Sequence, residues 1–283
     1  MKLDLPDIPA PKVGLNGPED TFPAIPDRLC RLDEYGLLIA PEESPDGFRA
    51  RLDAMRTEID YALPPDAQEI PSGIREAAEQ KLFELYGIRP TWVPAYLSER
   101  ETGHFSAGVT ALLFPENSNK MCIPLIFLSG AFLKKSRHFG YDAVETLAHE
   151  MVHAVRSGAG FTDSAYEEHF PCQVHASRFR RLVGNLFRKW QIPVLFFGGL
   201  TFAALHPAFL LPPALVLLRE IQLHLRIRAA AEKLRELHLR PEPVLLRLTD
   251  SEIKMLGKGK NPAFLEDSDS LRRNLLFQRF PLS

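Results

Sequence analysis

Cysteine is scarce. Cys30, Cys122 and Cys172 are the only three, they lie far apart, and no C-x-x-C occurs. An odd, scattered set argues against a disulfide framework and suits a reducing cytosol. Net charge is small as well: 34 Lys and Arg against 36 Asp and Glu leave −2, which argues against nucleic acid as a partner. No internal repeat is evident. The opening Met1-Lys2-Leu3-Asp4-Leu5-Pro6 lacks a charged region followed by an apolar run, so no secretory signal peptide is expected. The lysines of Gly257 to Lys260 stand between glycines without a P-loop pattern and read as a turn. The most informative absence is in the second half. From Ile192 to Leu218, 27 residues, there is no Asp, Glu, Lys or Arg.

Against that background one short stretch carries chemistry: His149-Glu150-Met151-Val152-His153, an H-E-x-x-H pattern. Two imidazoles four apart on a helix project from one side and can grip one metal ion. The glutamate between them can reach a water on that metal and take its proton. The surroundings predict a helix. Asp142 suits an N-cap, with Glu145 three residues on for a capping box. Val144, Leu147, Ala148, Met151, Val152 and Val155 form one apolar stripe of helical period, and Gly158 suits the end. The histidines fall roughly opposite the stripe, facing a cleft. The bland alternative is an exposed His/Glu face with no metal.

A catalytic zinc needs a third protein ligand and keeps its fourth position for water. Downstream stand Glu167 and Glu168, followed by His169, Phe170 and Pro171. Taken alone, the acidic pair also reads as a solvated helix start, which the helix dipole favours. Together, Asp142 to Phe170 resembles the glutamate-type branch of the zincin metallopeptidases. In that branch the third ligand typically precedes a small-then-apolar pair on the next helix. The resemblance implies one Zn²⁺ held by His149, His153 and Glu168, with Glu167 the rival, although His169 stands in place of the small residue. It implies Glu150 as the catalytic base acting on a zinc-bound water, and a peptide or protein substrate. It also implies a sheet beside the metal helix whose edge strand pairs with an extended substrate. Met121–Leu128 is the candidate edge, a plain buried strand being the other reading. An oxyanion donor is sought among Tyr166, His169 and His175, the last also reading as a surface or outer-shell position. Arg156, one turn past His153, reads as a partner for a nearby carboxylate or for the helix end. Cys172 reads as a small buried residue, and His104 as an exposed loop histidine.

The expected fold class is α+β: mostly helical, with a small antiparallel sheet beside the HExxH helix in the zincin manner and a hydrophobic helical hairpin. Residues 1–45 read as a proline-rich arm, 46–190 as the catalytic core, 191–220 as the hairpin and 221–283 as a helical segment packing on the core. Helices are predicted from Ser44 to about Tyr61, with Pro45 at its first position, and from Ser72 to Tyr86, closed by Gly87. Strands are predicted over Trp92–Leu97, Val109–Phe114 and Met121–Leu128, separated by Gly103, Pro115, Asn117, Ser118 and Asn119. A long helix spans 214–239, with Leu215, Leu218, Ile221, Leu225 and Ala229 as its stripe. Thr249 and Glu252 cap a short helix, and a final one runs near Ser268 to Phe277.

Charge is unevenly spread. Residues 1–90 hold 10 Lys/Arg and 18 Asp/Glu, a net of −8, whereas 176–240 hold 11 and 3, a net of +8. The basic excess surrounds the uncharged 27-residue run. A spanning helix needs about 20 apolar residues. Here Gly198-Gly199, Pro207 and Pro212-Pro213 divide the run into halves too short to cross alone. A kinked span, a re-entrant hairpin and a buried hairpin in a soluble core all fit. Basic flanks on both sides favour attachment to membrane lipid with the catalytic region on the cytoplasmic side. The expectation is a membrane-attached zinc metallopeptidase. The alternatives are a non-enzymatic membrane scaffold and a zinc hydrolase acting on something other than a peptide.

Overall fold

The structure, a computed structural model, describes residues 27–41, 43–55, 61–103, 106–114, 122–138, 140–161, 164–184, 191–268 and 270–282. The arm 1–26, His104 and the turn residues 115–119 lie outside the described residues, as do Met121, Arg188 and Lys189.

Helices α1 (Asp27–Glu34) and α2 (Pro45–Met55) lead to strand β1 (Gln68–Glu69), helix α3 (Ser72–Tyr86) and strand β2 (Ala95–Leu97). Next come α4 (Glu99–Thr102), β3 (Gly108–Leu113), β4 (Ile123–Leu128) and a 3₁₀ turn at Gly130–Leu133. A small ribbon of β5 (Arg137–His138) and β6 (Tyr141–Asp142) feeds α5 (Ala143–Gly158). After α6 (His169–Cys172) and α7 (Arg178–Val183) stands α8 (Gln191–Phe202), then a 3₁₀ turn at Pro207–Leu210 and the long α9 (Leu211–Glu236). The chain closes with α10 (Pro241–Leu246), α11 (Asp250–Leu256), α12 (Ala263–Glu266) and α13 (Leu271–Arg279). The fold is α+β, mostly helical with a small four-stranded sheet besides the β5–β6 ribbon.

The four-stranded sheet is mixed rather than antiparallel. Its order is β1-β2-β4-β3, with β2 parallel to β4 and the other pairs antiparallel. The expected edge, the run ending at Leu128, is therefore interior. Every residue from Ile123 to Leu128 is buried, as an uninterrupted apolar run requires of a strand covered on both faces. The edge beside α5 is β3, half-buried along its whole length.

Several local expectations hold with shifted ends. Helix α3 ends at Tyr86 as expected, and Gly87 closes it in the left-handed region at φ +67°; Ser72, expected to cap its start, is instead its first helical residue, behind Pro71, which makes no side-chain cap bond. Asp142 caps α5 by accepting from the N–H groups of Val144 and Glu145. Glu145 does not complete the capping box, because its carboxylate is used by Ala176, His175 and Lys81 instead. Gly158 is the last helical residue rather than the cap. A Cβ there would stand 3.4 Å from Trp92, so the glycine serves close packing. Thr249 and Glu252 form the predicted capping box of α11.

Part of the expected arm belongs to the core. Leu32, Leu37, Leu38 and Ile39 are buried, and Asp33 forms a buried bidentate pair with Arg247 and a further bond with Arg279. This ties the first described helix to the last third of the chain. Gly198 and Gly199 do not interrupt α8, which runs through both. A Cβ on Gly199 would come within 2.5 Å of Pro213, so this glycine lets α8 lie directly against the first turns of α9.

The long α9 has two apolar faces. Leu223, Ile227, Ala230, Ala231 and Leu234 are buried against the rest of the molecule. The expected stripe of Leu215, Leu218, Ile221 and Leu225 is exposed. Val194, Leu195, Phe197 and Leu200 of α8 are exposed with it. Pro207–Glu236 is long and apolar enough to cross a membrane by length and composition.

Candidate metal centre

Helix α5 forms because its apolar stripe packs on β4 and α3, burying Leu147, Ala148, Met151, Val152 and Val155. That packing turns His149 and His153 to the other side, one turn apart. Their Nε2 atoms stand 3.3 Å from each other. The carboxylate of Glu168 closes the arrangement, with Oε2 3.4 Å from His149 Nε2 and Oε1 3.4 Å from His153 Nε2. One ligand atom from each of the three residues lies within 4.8 Å of the other two.

The electrostatics of this trio are mutual. Burial pushes the Glu168 carboxyl up, but hydrogen bonds with His149 and His153 outweigh it and hold its pKa well below the usual carboxylate range. Burial pulls His153 down, yet Glu168, with Glu150 and Glu167 adding, leaves it above its ordinary value.

Glu168 stands at the N-terminal boundary of the next helix, the four-residue α6, rather than within it, behind a run of turns. Pro171 keeps the helix short. What fixes the carboxylate is therefore the anchoring of its loop. Asp250 accepts from Ser164 Oγ and from the Ala165 N–H. Arg156, buried, donates to the Leu246 carbonyl at 2.6 Å and sits over the rings of Phe161 and Phe170. Tyr86 donates to the Phe170 carbonyl at 2.7 Å. These anchors come from α3, α5 and α11, and nothing local in the sequence marks them.

Glu150, between the two histidines, is buried on the side facing the sheet. Thr110 Oγ1 of β3 lies 2.7 Å from its Oε2. The strand approaches closely because residue 108 is glycine: a Cβ there would stand 2.9 Å from Thr146 and 3.1 Å from Glu150.

Of the three expected oxyanion donors, Tyr166 and His175 have partners elsewhere, and His169 is held by ring packing. Tyr166 is buried and bonded to Arg226. His169 packs edge-on against Phe170 and His224, and burial with His224 and Arg156 nearby lowers it to about 3. His175 is buried, not on the surface, because its Nδ1 pairs with Glu145 at 3.1 Å. Burial and His149 lower its pKa in spite of that carboxylate. With Nδ1–H donated to Glu145, the neutral ring presents Nε2 as an acceptor.

A second trio shares one member with the first. His149, Cys172 and His175 also bring one ligand-type atom each within 4.8 Å. Burial raises the Cys172 thiol, which keeps it neutral. Its sulfur lies so close to Gly184 that any side chain there would overlap it.

Comparisons of the chain with protein-family models, with curated proteins and with solved structures find no match.

Proposed function

We propose that the chain is a zinc-dependent metallopeptidase of zincin type, attached to a lipid membrane. The observation that carries the reading is the convergence of His149, His153 and Glu168. Four-coordinate zinc with Zn–N of about 2.0–2.1 Å separates neighbouring nitrogens by about 3.3–3.4 Å. The observed Nε2–Nε2 separation of 3.3 Å matches that edge. Two neutral imidazoles and one carboxylate are also the donor set of an open catalytic zinc site. The glutamate is Glu168 rather than Glu167, since Glu168 is the one whose oxygens face both rings.

A zinc ion held there supplies Lewis acidity, acidifying water toward neutrality and polarising a carbonyl. Glu150 takes the proton from the attacking water and passes it to the leaving amine nitrogen. Thr110 engages Oε2, so the transfer falls to Oε1. The small sheet beside α5, with β3 at its edge, supports a peptide substrate.

Membrane attachment rests on the exposed apolar residues of α8 and the first half of α9. Helix α8 has 12 residues, about 18 Å, too short to cross a hydrocarbon core of about 30 Å. Packed on α9, it suits a hairpin dipping into one leaflet. Arg178, Arg180 and Arg181 before it, and Arg219, Arg226 and Arg228 after it, suit lipid headgroups on the cytoplasmic side.

The test compares the zinc-loaded wild type with Glu150→Gln on a pool of quenched fluorescent peptides in detergent. Hydrolysis by the wild type and a loss of at least about a hundredfold in the variant, with zinc retained, are expected. Equal turnover by both proteins contradicts the mechanism. No turnover by a zinc-loaded wild type contradicts the peptidase reading and leaves a scaffold or a non-peptide hydrolase.

A further inference from the structure

Thr110 faces two ways. Its side chain meets the proposed base, while its main chain lies on the open side of the sheet. The second half of this statement follows from register. Strand β3 pairs with β4 antiparallel, Gly108 opposite Leu128 and Thr110 opposite Ile126. The N–H of Ser129 donates to Ala107 O at 2.9 Å, which makes Ala107–Ser129 a hydrogen-bonded pair. Such pairs alternate along an antiparallel ladder. Val109 and Ala111 therefore turn their main-chain groups toward β4, whereas Gly108, Thr110 and Leu112 turn theirs outward. The opposite strand agrees: the Ile126 N–H is directed to Pro94 O, and Leu128 O accepts from Ser98, both on the β2 side. Gly108 O is already taken by the Ser106 hydroxyl at 2.6 Å. Thr110 and Leu112 are left, and no strand pairs on that side among the described residues.

The first half is fixed by distance. Thr110 Oγ1 is 2.7 Å from Glu150 Oε2 and 3.2 Å from Glu150 O. One hydroxyl has one proton, and the shorter contact to a carboxylate takes it. Gly108, on the same strand face, is what lets β3 come near enough for so short a side chain to reach.

We propose that Thr110 couples substrate docking to the general base. Docking of an extended peptide along β3, through the outward N–H and C=O of Thr110 and Leu112, belongs to the zincin reading above; what Thr110 adds is its hydroxyl, which holds Glu150 in line with the peptide so aligned. Thr110 is a positioning residue, acting through Glu150. The inference rests on the peptidase reading above.

Two measurements on the full-length, zinc-loaded protein test it. The first is calorimetric binding of an extended tripeptide ending in a zinc-binding hydroxamate, with each backbone amide N-methylated in turn. Methylation at one position is expected to weaken binding about tenfold, the scale of one lost main-chain bond. The second is hydrolysis by Thr110→Val and Thr110→Ser. Valine is expected to lower kcat by about 10- to 100-fold with KM within about twofold and zinc content unchanged, and serine to restore most of the loss. Methylation without effect at every position overturns the strand docking. An unchanged kcat in the valine variant, or a loss that serine fails to restore, overturns the coupling. A wild type that binds no hydroxamate overturns the peptidase reading itself and this inference with it.

Discussion

Glu168 Oε1 lies 3.4 Å from His153 Nε2, although 15 positions separate the two residues, one within α5 and the other at the start of α6. A carboxylate is placed against a buried imidazole at some cost unless the two share a charge or a cation. If that cation is zinc, Glu168→Ala removes one of three ligands and Glu167→Ala removes none. Zinc affinity, measured by competition with a chromogenic chelator, is expected to fall at least about a hundredfold in the first variant and to stay within a few-fold in the second. The reverse order would assign the ligand to Glu167.

Glu145 offers a pH test outside the ligand set. Burial works against its ionisation, but the Ala176 N–H, His175 and Lys81 outweigh it and lower its pKa. A depressed carboxylate contributes stability that is present above the unfolded value, about 4.5, and is lost as pH falls through the folded value. Glu145→Gln is therefore expected to melt a few degrees below the wild type at pH 7, with the gap closing below about pH 4. A gap that is constant with pH, in melts across that range, would show that the carboxylate's charge is not what matters.

The pairing of Asp33 with Arg247 carries the attachment of the first described helix to the C-terminal segment. Both side chains are almost fully buried, at 2% and 3% exposure. Asp33→Ala leaves Arg247 buried with its charge uncompensated, and is expected to cost about 3–5 kcal/mol. Arg228, exposed beside Glu232, serves as the control, with a change of at most about 0.5 kcal/mol on mutation to Ala. Chemical denaturation of the three proteins measures both.

Leu215 and Leu218 project from α9 with about half their surface exposed, 56% and 51%. The double change Leu215→Glu, Leu218→Glu is expected to abolish co-flotation with anionic phospholipid vesicles while leaving the melting temperature unaltered, since neither side chain supports the core. Flotation unaffected by the pair would remove α9 from the lipid contact.

Periodic segments were legible in the sequence and long-range pairings were not. The stripe of α5, the closing glycine of α3 and the capping box of α11 are local signals, so their elements fall close to where pattern places them. Sheet order depends on residues tens of positions apart. The apolar run ending at Leu128 reads from sequence equally as an edge or as a buried strand, and burial on both faces inside the sheet makes it the second of these. The two faces of α9 were likewise read as one, because Leu223, Ile227 and Leu234 interleave with Leu218, Ile221 and Leu225 along the helix. At the site, the two histidines and the base follow from one motif, and Glu168 from the resemblance of its neighbourhood. Thr110, Asp250 and the Glu145–His175 pair have no sequence signature, since their roles come from tertiary contact alone. For the same reason the sequence leaves His175 open as an oxyanion donor, an outer-shell group or a surface residue.

The most direct test is X-ray absorption at the zinc edge on the purified full-length protein, together with its zinc stoichiometry. The account expects one zinc per chain, a first shell of nitrogen and oxygen only, and loss of that zinc in His149→Ala. A chain that holds no stoichiometric zinc contradicts it. So does a sulfur in the first shell, which would place the ion with Cys172 and His175 instead of Glu168.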